Sequence, residues 1–134
     1  MPAKPRILVV EDEFLVCQSL IKQLENLGYE VAGTAENGAA GVAKALELKP
    51  DLVLMDIGMP VMDGIEACRQ IRAACPLPVV VLSAYSDRKR LGEIRSAGAA
   101  GYVTKPTADH ELKQAVEKAL AKSREAEPET KPQT

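Results

Sequence analysis

A doubly wound α/β fold, a parallel sheet covered by helices on both faces, is predicted by three features of the chain. Three short runs, Ile7-Leu8-Val9-Val10, Leu52-Val53-Leu54-Met55 and Val79-Val80-Val81-Leu82, are apolar throughout rather than alternating. Unbroken runs of this length suit strands buried on both faces, as parallel strands are. Helix-length segments lie between them, and a parallel crossover needs such a segment to carry the chain back to the starting edge. At 134 residues and 14.4 kDa, the chain suits one domain that buries about two-thirds of its unfolded surface around a single core.

Taken in order, the first run is followed by a helix from about Glu13 to Leu27, with Phe14, Cys17, Ile21 and Leu24 on one side and Gly28 placed to end it. Tyr29 to Ala35 reads as a second, weaker strand, followed by a helix over residues 38 to 48. The Leu52 run leads to a helix over 64 to 74, and the Val79 run to one over 87 to 97. That fourth helix is the weakest, because Asp87-Arg88-Lys89-Arg90 is strongly polar and only Leu91 and Ile94 can anchor it. Weak anchoring marks it as the segment that shifts most easily. Ala99 to Thr104 forms the last strand, and Asp109 to Lys122 the clearest helix, with Leu112, Ala115, Val116, Ala119 and Leu120 at helical spacing. Residues 1 to 5 are expected to be flexible, and the domain to span 6 to 122. Ser123 to Thr134 holds one alanine, two prolines and no larger apolar residue, too little burial to offset ordering entropy. It reads as a disordered tail or linker.

A formal charge of −2 gives no overall attraction to nucleic acid or anionic lipid. Ile7 to Val10 is stopped by Glu11 and Asp12, too soon for a secretory signal or a membrane span. Cys17, Cys68 and Cys75 form no CxxC pair, and the lone His110 completes no zinc-like cluster. A reduced, cytoplasmic setting fits best, with Cys17 and Cys68 as small buried hydrophobes. His110 reads as a surface residue, and Arg88-Lys89-Arg90 as a solvated helix face rather than a nucleic-acid patch. No GxxxxGK[ST] or GxGxxG loop supports nucleotide binding.

In an open parallel sheet, ligands bind beyond the carboxyl ends of the strands. Glu11 and Asp12 follow the first run, Asp56 the third strand and Ser83 the fourth, while Thr104 and Lys105 end the fifth. Each has a bland explanation alone, as a cap, a loop-ordering acid or a solvated cation. Capping and solvation do not, however, require all of them at the same strand ends. Three carboxylates brought together repel by about 4 kcal/mol per pair at 4 Å and an effective dielectric near 20. A hard divalent cation such as magnesium, which takes oxygen ligands, would relieve this, and Lys105 adds a further charge. A metal, a lysine and a hydroxyl around an aspartate suit phosphoryl transfer, with Asp56 as the nucleophile because it ends the central buried strand.

The segments Val9-Val10-Glu11-Asp12-Glu13, Met55-Asp56-Ile57-Gly58-Met59-Pro60-Val61-Met62-Asp63-Gly64, Leu82-Ser83-Ala84 and Gly101-Tyr102-Val103-Thr104-Lys105-Pro106 together resemble the receiver domain of two-component response regulators. The resemblance runs from residue 6 to about 122. It implies a five-stranded flavodoxin-like sheet of strand order 2-1-3-4-5 with five helices in a three-layer sandwich. It implies that Asp56 accepts a phosphoryl group from a sensor histidine kinase or phosphotransfer protein, with magnesium held by Glu11, Asp12, Asp56 and the Gly58 carbonyl. Lys105 would contact the phosphoryl oxygens. Ser83 would hydrogen-bond them and, with Tyr102 turning inward, reshape the surface of the fourth helix, fifth strand and fifth helix for a partner. That surface also permits a homodimer. The Lys105-Pro106 bond would be cis. Glu11 stands where many members have aspartate and Ser83 where many have threonine, each keeping the needed group. Tyr85 is expected to shield the acyl phosphate from water.

Two other classes remain. A haloacid-dehalogenase-type phosphatase also uses an aspartate nucleophile, but wants a second aspartate where this chain has Gly58. A flavodoxin-like electron carrier wants a hydroxyl-rich loop where this chain has Glu11-Asp12-Glu13-Phe14. The receiver reading implies a switch with at most slow loss of its own phosphate, not a turnover enzyme. It leaves open a stand-alone protein or the input module of a longer regulator, and implies no direct contact with nucleic acid or membrane.

Overall fold

The computed structural model describes residues 3–59 and 62–126, without the side chains of 85, 86 and 124–126. Five strands and their crossovers follow one another: β1 (Arg6–Val10), α1 (Phe14–Asn26), β2 (Glu30–Ala35), α2 (Gly38–Leu48), β3 (Leu52–Asp56), α3 (Gly64–Ala74) and β4 (Val79–Ser83). A 3-10 helix (Tyr85–Arg90) then leads into α4 (Leu91–Ser96), β5 (Gly101–Thr104) and α5 (Asp109–Ala126). The sheet order is β2-β1-β3-β4-β5 and every pairing is parallel.

The continuous apolar runs are explained by the two faces they serve, because successive residues of a strand point to opposite sides. Leu8, Val10, Val53, Met55, Val79 and Val81 pack with Ala45 of α2, with Ile65, Cys68 and Ile71 of α3 and with Ile94 of α4. Ile7, Val9, Leu52, Leu54, Val80 and Leu82 face the other way, onto Cys17, Leu20 and Leu24 of α1 and Leu112, Val116 and Ala119 of α5. Three layers result. From β1 the chain winds outward to β2, whereas from β3 it winds to β4 and β5, so the order reverses between β1 and β3. A crevice opens beyond their carboxyl ends.

Several expectations need correction at their edges. Phe14 does not join the buried side of α1: it is 73% exposed, and Leu20 takes the inward place beside Cys17 and Leu24. β2 starts at Glu30 and β5 at Gly101. The fourth helix is not α-helical over 87 to 97. Its two anchors, Leu91 and Ile94, support one α turn and a half around themselves, and the polar run before them tightens into 3-10 geometry. At the far end α5 continues to Ala126, so residues 123–126 are helical, while the rest of the expected tail, 127–134, lies outside the described residues. Near the start, Pro5 is already tied to β2, accepting the Glu30 N–H at 2.9 Å. Gly28 closes α1 with φ +96°, and the Lys105-Pro106 bond is cis. The Tyr85 side chain is outside the description. Among the described residues, no helix is long and apolar enough to cross a membrane.

Candidate functional site

Asp56 is the last residue of β3, and Glu11 comes directly after β1, its neighbour in the sheet. Both carboxylates are buried, at 4% and 2% exposure, while Asp12 beside them is exposed. Each of the three offers an oxygen within 4.8 Å of the others. Lys105 enters from the far side, one residue beyond β5, and its Nζ lies 3.2 Å from Glu11 Oε1 and 3.3 Å from Asp56 Oδ1. The backbone adds two donors. Glu13 N–H reaches Glu11 Oε2 at 3.1 Å, and Gly58 N–H reaches Asp56 Oδ1 at 3.2 Å.

Burial pushes the Glu11 carboxyl above its usual range, and the charge of Asp56 pushes the same way against the Glu13 N–H and Lys105. For the Lys105 ammonium, burial opposes the charge, but the carboxylates of Asp56 and Glu11 outweigh it and raise its pKa. The lysine therefore stays protonated as the fixed counter-charge of the cluster. An opening of about 330 Å³ adjoins these groups, lined by Asp12, Glu13, Asp56, Gly58, Ala84, Asp87 and Lys105.

Gly64 lets α3 start this close to the end of β3. A Cβ there would run into the carbonyl oxygen of Asp56 and come within 2.6 Å of Ile57 Cα. Asp63 caps the same helix, its Oδ1 accepting from the N–H groups of Ile65 and Glu66 at 3.0 Å each.

Ser83 ends β4 opposite Thr104 and is 2% exposed. Among the described residues its hydroxyl has no hydrogen-bond partner, while its carbonyl accepts the Lys105 N–H at 2.8 Å. Tyr102 is not among the groups gathered at the acids. It is 40% exposed on β5, beside a groove it shares with Leu91, Ile94 and Lys122.

Two features of the segment after β4 were missed in the sequence. Asp87 lines the pocket, with Oδ2 accepting the Ala84 N–H at 3.0 Å while its own N–H donates to the Ala84 carbonyl at 2.9 Å. An acid three residues after Ala84, where the helix begins, is a helix-start signal that could have pointed to it. Arg90 is no solvated cation: its guanidinium spans Glu93 Oε1 at 3.0 Å and Asp63 Oδ2 at 3.4 Å, tying the 3-10 helix to the start of α3.

An all-oxygen donor set with three carboxylates and one shared ammonium suits a hard divalent cation, so these residues fit magnesium. A family model for the response regulator receiver domain matches residues 7–117. The chain belongs to the response regulator receiver family. It is similar to the transcriptional regulatory protein PdtaR of Mycobacterium tuberculosis, 42% identical over 120 residues that cover 90% of this chain and 58% of that protein. The chain thus spans little more than half the length of that relative. It is also 41% identical to the chemotaxis protein CheY of Thermotoga maritima over 102 residues, 75% of this chain and 85% of that protein. Among solved structures, the signal receiver domain of a modulated diguanylate cyclase from Desulfovibrio desulfuricans G20 superposes with a TM-score of 0.85 at 34% identity, covering 92% of this chain and 99% of that one. Receivers of this family are signalling modules of two-component systems, and some relatives with the domain carry enzyme names, such as protein-glutamate methylesterase.

Proposed function

We propose that this receiver is a phosphorelay switch in which Asp56 accepts a phosphoryl group from a sensor histidine kinase or a phosphotransfer protein. One observation carries the reading: a buried carboxylate at the end of the central strand, held by Lys105 and flanked by two further acids beside an opening to solvent. Both described contacts to Asp56 fall on Oδ1, and among the described residues Oδ2 has none. Oδ2 is therefore the oxygen left to attack phosphorus, forming the O–P bond as the bond from phosphorus to the donor nitrogen breaks. Glu11, Asp12, Asp56 and the Gly58 carbonyl would hold magnesium, which supplies charge neutralisation to the transferring oxygens. Lys105 turns to those oxygens from its place between the acids, and the unpartnered Ser83 hydroxyl is a donor for them.

Exposed Leu15, next to exposed Phe14 in the chain, lines a groove of about 640 Å³ that also reaches Lys105, Pro106 and Thr107. An apolar surface adjoining the pocket supports a protein donor. The output surface is the face of α4, β5 and α5 around Tyr102, available to a downstream protein, an effector domain of a longer chain or a second copy. The site acts once per donor rather than turning over, since Gly58 occupies the position where a haloacid-dehalogenase-type phosphatase would place its acid/base.

The test is intact-mass analysis after incubation with phosphoramidate, with and without magnesium. One phosphoryl mass on wild type, dependent on magnesium and lost in Asp56→Asn, is the expected result. Sustained hydrolysis of a generic phosphate monoester would favour the phosphatase instead.

A further inference from the structure

We infer that Asp87 acts as a positioning residue, an internal anion that holds the Ala84 N–H until a phosphoryl group on Asp56 displaces it. The inference rests on Asp56 being the acceptor. Ala84 follows β4 directly and lines the same opening as Asp56 and Lys105. Its N–H is one of the backbone donors at that opening. The Gly58 N–H is committed to Asp56 Oδ1 and the Glu13 N–H to Glu11 Oε2. The Ala84 N–H is instead committed to a carboxylate that does no other described work on the acids, Asp87 Oδ2 at 3.0 Å. An aspartate carboxylate bound to a backbone N–H has the charge and the acceptor oxygens that a phosphoryl group would bring to the same donor.

A phosphoryl dianion on Asp56 meets Asp87 within one opening of about 330 Å³. Two anions there repel, and they compete for one N–H. Asp87 is half-buried at the mouth, so it can turn to solvent, whereas Asp56 is fixed in the sheet. Its departure has a structural consequence, because the Ala84–Asp87 pair is reciprocal and closes the first turn of the 3-10 helix. With that pair open, the helix start loses the reciprocal contact that closes its first turn, while its far end keeps the grip of Arg90 on Asp63 and Glu93. Phosphorylation is thereby coupled to loosening of residues 84–87, directly upstream of α4 and its two apolar anchors.

The experiment uses the full chain and two variants, with phosphoramidate as donor and hydrogen exchange as the second readout. Asp87→Asn keeps an oxygen that can accept the Ala84 N–H and removes the charge. Its labelling by the anionic donor should be faster by on the order of threefold or more, with a gain that shrinks as salt is raised. Urea unfolding should be unchanged in this variant, which separates charge from structure. Asp87→Ala also removes the acceptor, and its amides over 84–87 should exchange, without phosphorylation, as fast as those of phosphorylated wild type. Wild type that labels at Asp56 while Asp87→Asn labels at the same rate would overturn the inference and leave the acceptor intact. Unchanged exchange over 84–87 on phosphorylation of wild type would do the same. No label on wild type would remove the acceptor reading, and this inference with it.

Discussion

Replacing Lys105 with methionine keeps the length and most of the packing of the side chain and deletes its charge. The structure sets the size of the effect. Nζ sits 3.2 Å from Glu11 and 3.3 Å from Asp56, where each attraction amounts to about 5 kcal/mol at an effective dielectric near 20. Desolvation of the three groups cancels much of that, and removing one member of a buried ionic pair typically costs about 3–5 kcal/mol. The Lys105 side chain is 24% exposed while that of Glu11 is fully buried, so water relieves only one end of the broken contact. A loss of about 2–3 kcal/mol in metal-free buffer follows, a fall in Tm of roughly 8–12 °C for a domain of this size. Urea unfolding followed by far-ultraviolet circular dichroism is the assay, because the chain has no tryptophan. Magnesium should restore more stability to the variant than it adds to wild type, since it replaces the missing positive charge. Asp12→Asn should act oppositely, raising metal-free stability by about 0.5–1 kcal/mol while weakening magnesium binding. A metal-free Lys105→Met protein as stable as wild type would refute crowding of charge as the dominant electrostatic term at the site.

Gly64→Ala should destabilise the fold by about 2–4 kcal/mol, read in the same urea assay, because the new Cβ has only the Asp56 carbonyl and Ile57 backbone to enter. Burial pushes the Cys68 thiol up to about 11, so an aromatic disulfide reagent at pH 8 should modify the half-buried Cys75 first and reach Cys68 only on unfolding. Because its folded pKa is raised above the reference value of 9.0, Cys68 contributes stability that is complete below pH 9 and is lost as pH rises toward 11. The urea midpoint should accordingly fall less over that interval in Cys68→Ala than in wild type. Phe14→Ala combined with Leu15→Ala, at positions 73% and 79% exposed, should change stability by no more than about 0.5 kcal/mol and leave phosphoramidate labelling intact, while slowing transfer from a phosphohistidine protein. Equal transfer rates would remove that face from the proposed donor contact.

The strands were legible because β1, β3 and β4 are buried on both faces, which puts four consecutive apolar residues in each and leaves polar ones only at their ends, a signal no amphipathic helix face imitates. The gathering of Glu11, Asp12, Asp56 and Lys105 was legible for a related reason: parallel strands present their carboxyl ends at one edge, so chain order alone brings these residues together. Side-chain direction was less so. The helical period placed Phe14 with Cys17 and Leu24, yet at the first residue of α1 Phe14 stands in solvent while Leu20 is buried. The region after β4 was the hardest to read. Asp87 and Arg90 appeared as members of one polar run, whereas Asp87 closes the first turn from Ala84 and Arg90 depends on Asp63, a partner distant in sequence that no local pattern pairs with it. Much the same holds for α5, whose last turn to Ala126 extends beyond the apolar repeat that marks the rest of the helix.

The most direct measurement is chemical localisation of the acceptor. After incubation with phosphoramidate and magnesium, borohydride reduces an aspartyl phosphate to homoserine, and peptide mass mapping reads the converted position. The account predicts homoserine at residue 56 alone, absent when magnesium is withheld. Conversion at residue 12 or elsewhere, or none with the donor and metal both present, would contradict it.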